Sequence, residues 1–531
     1  MGKSKFYLIF TLSCFVFTLS SALLQTIPAL FADCLVRNSP SADIGKLFYP
    51  HYSPSYSSIL ESTVQNLKFN SSSLQPFFII TPYNVDDVRS AVICTQNFNL
   101  QLRVRSGGHD YEGLSYKANA PFVLVDLVNL RRVSVDLENQ TAWVQSGTTL
   151  GELYYQIGNR SQELGFPAGT CPTIGVGGHF SGGGKGTLTR SFGLAADNVL
   201  DAVLVTAKGE ILNRTSMEEE VFWAIRGGGG ASFGVIVDWK IRLSPIPEKV
   251  TVFTISKTLQ QNATEIIYKW QEVAPELPKE LFIRLVLTIG KDSQGNTTVM
   301  AIFRGLYLGN VNSLVSLINK KLPELGLATK QCQKMSWLES ILFFDRGLRP
   351  GESVSILMDR NRLYTKGFFK AKSDFVTQPI THEGLEEIWK VIKEGDSGVL
   401  ILDPFGGKMN EIPDSETPFP FRNGTLYSIQ YFTSWRDPKP EVEMSKMEWI
   451  NRVYNAMTPY VSMNPRTAYL NYRDLSIGMN AFGKHTYFSA KLWGEKYFKG
   501  NFPRLAQAKA KVDPFNFFKN EQSIPPLWLN I

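Results

Sequence analysis

Arg103-Val-Arg-Ser-Gly-Gly-His-Asp-Tyr-Glu-Gly-Leu-Ser-Tyr116 and Gly165-Phe-Pro-Ala-Gly-Thr-Cys-Pro-Thr-Ile-Gly-Val-Gly-Gly-His-Phe-Ser-Gly-Gly-Gly184 each set one nucleophile, His109 or Cys171, among glycines. Glycine carries no Cβ, so such backbone approaches a large flat ligand closely. The pattern is that of a cofactor cradle with two nucleophiles in it. Gly107 and Gly108 let the chain reach a ring edge beside Ser106, and Arg103 or Arg105 would offset pyrophosphate charge. Gly175, Gly177, Gly178, Ser181, Gly182 and Gly183 supply amides and a hydroxyl at a turn, a nest suited to phosphates. His179 reads as packing or hydrogen-bonding the pyrophosphate end rather than as an acid. One glycine run alone is a weak signal, because tight turns need glycine anyway. The specificity lies in the ordered conjunction with Gly193-Leu-Ala-Ala-Asp-Asn198 and Trp223-Ala-Ile-Arg-Gly-Gly-Gly-Gly230, which runs on to Ile236.

Outward from these stretches, residues 76–250 alternate Val/Ile/Leu-rich runs with glycine clusters and short helical patterns. The runs are Phe78 to Thr81, Phe122 to Asp126, Thr141 to Gln145, Ala202 to Thr206 and Val235 to Leu243. Strands joined by tight turns with a few helices predict an α+β layer fold. No Gly-x-Gly-x-x-Gly sits in a βαβ unit with a following acidic residue, so a dinucleotide would be held by loops and not in the Rossmann manner. From 251 to 465 amphipathic stretches (Ala263 to Ala274, Glu383 to Glu394) alternate with strand-like Leu281 to Ile289, Thr298 to Tyr307 and Leu426 to Trp435. That texture predicts an antiparallel sheet backed by helices, a substrate-side lobe.

With 531 residues, 43% of them hydrophobic, the chain buries more than one core; at ~150 residues per domain it holds two to four domains. Residues 1–27 place Lys3 and Lys5 before an apolar run from Phe6 to Leu19 and then small residues, the layout of a cleaved secretory signal. An N-terminal membrane anchor is the blander reading of that segment; no later run approaches the ~20 apolar residues that span a bilayer. Seven Asn-x-Ser/Thr sequons (Asn70, Asn139, Asn159, Asn213, Asn262, Asn296, Asn423) predict N-linked glycans and agree with secretion, into the extracellular space or wall or to the vacuole. The net charge of +7 is spread without a Lys/Arg block, which argues against nucleic-acid binding. His51, His382 and His485 lack metal-ligand spacing, so no metal is expected. Cys332, near Met335, Trp337 and Ile341, reads as a buried small hydrophobe.

These motifs resemble the berberine bridge enzyme-like family of plant flavoproteins, from about Asp33 to the C-terminus. The resemblance implies a PCMH-type (vanillyl-alcohol-oxidase-like) FAD-binding domain at 28–250, an α+β substrate domain at 251–465, and a segment at 466–531 that returns to the flavin lobe. It implies FAD tethered twice, through His109 to the 8α carbon and Cys171 to C6, with Asp197, Ile236 and Asn471 also at the cofactor. It implies a Cys34–Cys94 disulfide. The chain is expected to be a monomer.

Oxidation of an alcohol delivers hydride to flavin N5 while a base removes the hydroxyl proton; a phenolate serves if a positive charge lowers its pKa. The resemblance gives that role to Tyr472, in Asn471-Tyr-Arg-Asp474, and substrate orientation to Tyr111 and Gln430. Two positions depart from the family pattern: Lys185, where many members carry an aromatic, and Ser428, where they carry lysine. Lys185 then lowers the pKa of Tyr472, points to solvent, or binds an acidic substrate. Gln430 stands where the alkaloid-bridging members carry a glutamate base, which favours oxidation of a simple alcohol, of phenylpropanoid or carbohydrate type, over ring closure. Ile174 corresponds to the oxygen gate; its bulk predicts slow reaction with O2 and a preference for another acceptor. The alternatives are an oxidase of a specialised metabolite, a non-oxidative Diels–Alder-type cyclase on the same flavin fold, and an inactive flavin-binding storage or defence protein.

Overall fold

The computed structural model describes residues 27–39, 43–69, 75–349, 351–360, 366–481 and 486–527. The expected signal segment, except for Ile27, the Asn70 sequon and His485 lie outside the described residues. Two sheets build the first lobe. A mixed sheet orders Phe48–Pro50, Phe78–Ile80, Phe122–Asp126 and Gln101–Arg105, the last three mutually parallel. The helix Val85–Asn97 carries the chain from Phe78–Ile80 across to Gln101–Arg105, with Phe122–Asp126 between them in the sheet; it is capped by the Asn84 side chain on the Asp87 amide and led by Asp86 and Asp87. Residues 27–38 form a helix whose Phe31 and Leu35 enter the core of this sheet, pinned there by the Cys34–Cys94 disulfide.

An antiparallel sheet follows, in the order Val133–Asp136, Thr141–Gln145, Val235–Arg242, Val199–Val205, Ile211–Leu212. The strand runs read from the sequence fall on these elements within a few residues, because alternating branched side chains between turn residues leave little choice. Among the strands not read from the sequence are Phe48–Pro50, Val133–Asp136, Ile211–Leu212 and Gln101–Arg105, the last running directly into the first glycine-rich stretch.

The second lobe is one seven-stranded antiparallel sheet in the order Cys332–Met335, Val250–Thr258, Thr297–Tyr307, Leu281–Lys291, Val399–Pro404, Tyr427–Trp435, Phe368–Val376. Period two divides its residues between faces. Ile283, Leu285, Leu400, Leu402, Ile429 and Tyr431 pack on the helices Ala263–Val273, His382–Lys393 and Pro440–Ala456. The intervening Arg284, Ile401, Asp403, Ser428, Gln430 and Phe432 therefore face the other way, toward the first lobe. The C-terminal helices Tyr487–Phe498 and Phe502–Val512 pack Trp493, Phe498, Phe502 and Leu505 into the first lobe's core. Buried Lys509 ties that return by donating to the carbonyls of Ser232 and Phe518 and to Asp513. Cys332 is half-buried on an edge strand opposite Phe253.

Candidate active site

The two glycine-rich stretches cross backbone to backbone. A Cβ on Gly107 would land on the amide of Gly175, and one on Gly175 would strike Ser106 and Gly107, so these two glycines are required by chain crossing and not by a ligand. Ser106 Oγ locks the crossing by donating to the Ser146 carbonyl at 2.5 Å. The crossing turns His109 and Cys171 toward the same space. Thr173 Oγ1 lies 2.9 Å from His109 Nε2 and 3.7 Å from Cys171 Sγ. Burial lowers the His109 imidazole to about 4, so it is neutral with a lone pair available.

Both side chains line a cavity of about 670 Å³ between the lobes, within the ~300–1,000 Å³ range of cofactor and small-molecule sites. Ser106, Gly107, Gly108, Ile174, Gly175, Gly177 and Gly178 line it, as do His179, Ser181, Gly182, Ile236 and Asn471. Gly178 faces open space, where a Cβ would meet nothing within 4 Å. His179 is fixed as a neutral acceptor: its Nε2 receives the Gly169 amide at 2.9 Å, and burial, helped by Lys185, lowers it to about 3. Asn471 reaches from the C-terminal segment to the His179 carbonyl and the Tyr469 hydroxyl, both at 2.9 Å. A glycine-walled space with backbone amides along one side and two nucleophiles on the wall fits FAD.

Arg105 and Asp197 are corrections. Arg105 is fully buried; Asp126 and the carbonyls of Ile59 and Leu60 take up its guanidinium, so it offsets no pyrophosphate charge. Asp197 is held by both terminal nitrogens of Arg422, each at 2.7 Å, and accepts the Leu194 amide; it ties the second lobe to the first and does not line the cavity. Arg103 does line the cavity, though it donates to Lys117, Lys519 and Glu521.

At one end of the cavity Tyr111 and Tyr472 stack with centroids 5.7 Å apart and planes 6° apart. Gln430 Nε2 donates to the Tyr111 hydroxyl at 2.7 Å, and Tyr469 meets Tyr472 edge-on at 5.0 Å. Lys185 is buried, which removes the solvent-facing reading. Its Nζ donates to Asp403 Oδ2 at 2.5 Å and lies over the Tyr472 ring, 5.0 Å from the centroid. Arg284, unnoticed in the sequence, holds the same carboxylate from the other side, with Nε on Oδ1 at 2.6 Å and Nη2 on Oδ2 at 3.1 Å. Although burial pushes the Asp403 carboxyl up, Arg284 and Lys185 hold it well below the usual range. Burial pushes the Tyr472 phenol up; Asp403 adds to this and Arg284 opposes it. The expectation that Lys185 depresses this phenol is therefore corrected: its ammonium pairs with Asp403, and burial pushes the phenol up. Ser428 is buried directly across from Asp403, its hydroxyl without a hydrogen bond among the described residues.

A signal for Arg284 and Asp403 was present. Each is a single charge within an apolar run, Leu281-Phe-Ile-Arg-Leu-Val-Leu287 and Val399-Leu-Ile-Leu-Asp-Pro404, and a charge buried on a strand needs a partner.

Comparison with known proteins gives this geometry a class. Residues 76–215 match the family model described as FAD binding domain, and residues 468–525 match the one described as berberine and berberine like. The protein is an FAD-linked oxidoreductase with the PCMH-type fold. It is 47% identical to berberine bridge enzyme-like 24 of Arabidopsis thaliana over 98% of this chain and 96% of that one. Identity to the monolignol oxidoreductase AtBBE-like 13 of the same plant is 47% over 94% of each chain. Phl p 4, a grass pollen allergen with glucose dehydrogenase activity, superimposes with a TM-score of 0.88 at 46% identity, covering 94% of this chain and all of that one. The chain belongs to the berberine bridge enzyme-like family.

Proposed function

We propose that this protein is a secreted flavoenzyme that oxidises an alcohol, with FAD bonded to both His109 and Cys171. One observation carries the reading: the two nucleophiles share the Thr173 hydroxyl on the wall of the same cavity that the Tyr111–Tyr472 pair closes. Thr173 engages one nitrogen of a neutral imidazole, leaving the other for bond formation. When bound, FAD supplies the acceptor for the hydride. In its ionised form Tyr472 takes the substrate's hydroxyl proton at its phenolic oxygen, and Tyr111, fixed by Gln430, orients that hydroxyl. Phe344, Ile401 and Phe432 exclude water from the reacting end.

Ile174 limits access of O2, so another acceptor is preferred. In support, Phl p 4 is a glucose dehydrogenase, while a variant with a single isoleucine-to-valine change is a glucose oxidase. A monolignol oxidoreductase and a glucose dehydrogenase among the relatives support a phenylpropanoid or carbohydrate alcohol as substrate. Six sequon asparagines, Asn139, Asn159, Asn213, Asn262, Asn296 and Asn423, are exposed and accessible to glycosylation. We take the chain as a monomer organised as a signal (1–27), a flavin lobe (28–250), a substrate lobe (251–465) and a returning segment (466–531).

Two measurements test this. Acid-precipitated protein should keep its yellow colour, and an alcohol from a cinnamyl or oligosaccharide panel should bleach the flavin anaerobically. Pigment released wholly into the supernatant refutes the double attachment. Product formed without bleaching refutes the redox reading and selects the cyclase.

A further inference from the structure

Asp403 is one carboxylate shared by two cations. Lys185, Arg284 and Asp403 have side chains only 4%, 12% and 5% exposed, so solvent does little to balance the remaining positive charge. The neighbouring strand adds to it: Arg304 stands directly opposite Arg284 in register, a like-charge arrangement that is unfavourable without an anion nearby. Arg284 lines the cavity; with Nε and Nη2 committed to Asp403, its Nη1 makes no hydrogen bond among the described residues. Two paired strands fix the position of the fork, and Phe282 and Phe344 flank it, with ring centroids 5.9 and 6.0 Å from the guanidinium carbon.

We infer that Arg284, positioned by Asp403 and Lys185, binds a carboxylate of the substrate, so that the alcohols this enzyme prefers carry an acidic group. The word substrate rests on the alcohol-oxidising function proposed above; the anion site itself does not. Asp345 also lines the cavity, so selection acts through the guanidinium fork and not through net charge. A planar guanidinium matches a carboxylate in shape and hydrogen-bonding direction, which a single ammonium does not.

The test is calorimetric titration of the flavin-loaded protein with 4-(hydroxymethyl)benzoate and with 4-(hydroxymethyl)benzamide, near-isosteric alcohols that differ in charge. The benzoate should bind at least about tenfold more tightly, the scale of one charge-assisted hydrogen bond. In Arg284→Gln that preference should vanish while amide affinity is kept, which a merely structural role would not produce. Lys185→Met leaves Asp403 to Arg284 alone and should also shrink the ratio, and it provides the test if Arg284→Gln does not fold. Equal binding of the two probes, binding of neither, or an unchanged ratio in the variants overturns the inference. Because binding needs no turnover, a preserved preference without anaerobic bleaching would sink the proposed reaction and leave the anion site standing.

Discussion

At Tyr472 two physical effects compete. Its place at the end of the cavity suits a proton acceptor, yet burial and then Asp403 raise its pKa, so the acceptor form is scarce at neutral pH. The ionised fraction of a phenol with a raised pKa grows as pH rises, so the rate of flavin reduction should climb from neutrality into the alkaline range without levelling. Tyr472→Phe should lose that climb and about 100- to 10,000-fold in rate, the usual share of a positioned base; stopped-flow reduction at several pH values measures both. Ile174→Val should speed reoxidation in air several-fold or more while leaving anaerobic reduction intact; identical reoxidation traces would remove Ile174 as the gate. The stacked partner Tyr111 and its Gln430 were legible from motif positions. Arg105 and Asp197 misled because a charge beside glycines reads the same whether it faces a phosphate or a buried counter-charge. Only packing shows that Asp126 and Arg422 had already claimed them.

Among the elements, the strands were the most readable, since period-two alternation bounded by turn residues has few other solutions. Several strands escaped, Gln101–Arg105 among them because it is short and merges into the glycine-rich stretch. The N-terminal helix depends on a covalent tie: Cys34 joins Cys94 on the helix Val85–Asn97 across 60 residues. Loop closure of that size predicts a loss of about 2–5 kcal/mol for Cys94→Ser. Thermal melting should record a clear fall in Tm; a melt unchanged from wild type would show that Phe31 and Leu35 hold the helix without the bond.

Across the whole molecule, the site is an inter-lobe product. The first lobe supplies the nucleophiles and Lys185, the second supplies Arg284, Asp403 and Gln430, and the C-terminal segment supplies Tyr469, Asn471 and Tyr472. Stability should share that dependence, because His179 is buried neutral where these parts meet. Its pKa of about 3 lies below the ordinary 6.5, so as pH falls the unfolded chain takes up the proton first. Stability present above pH 6.5 is then lost progressively toward pH 3, with a slope of up to about 1.4 kcal/mol per pH unit from this residue. Melting curves across that range should show a shallower dependence in His179→Gln than in wild type; parallel curves would assign the acid sensitivity elsewhere.

By itself the sequence determined the glycine-rich cradle and several of the longer strands, because glycine clusters and side-chain alternation are local properties of the chain. Tertiary structure alone decided which charges meet. Lys185 and Asp403 lie 218 residues apart, and whether a buried cation tunes a phenol, faces water or shares a carboxylate with an arginine depends on which groups the fold brings within a few ångströms of it.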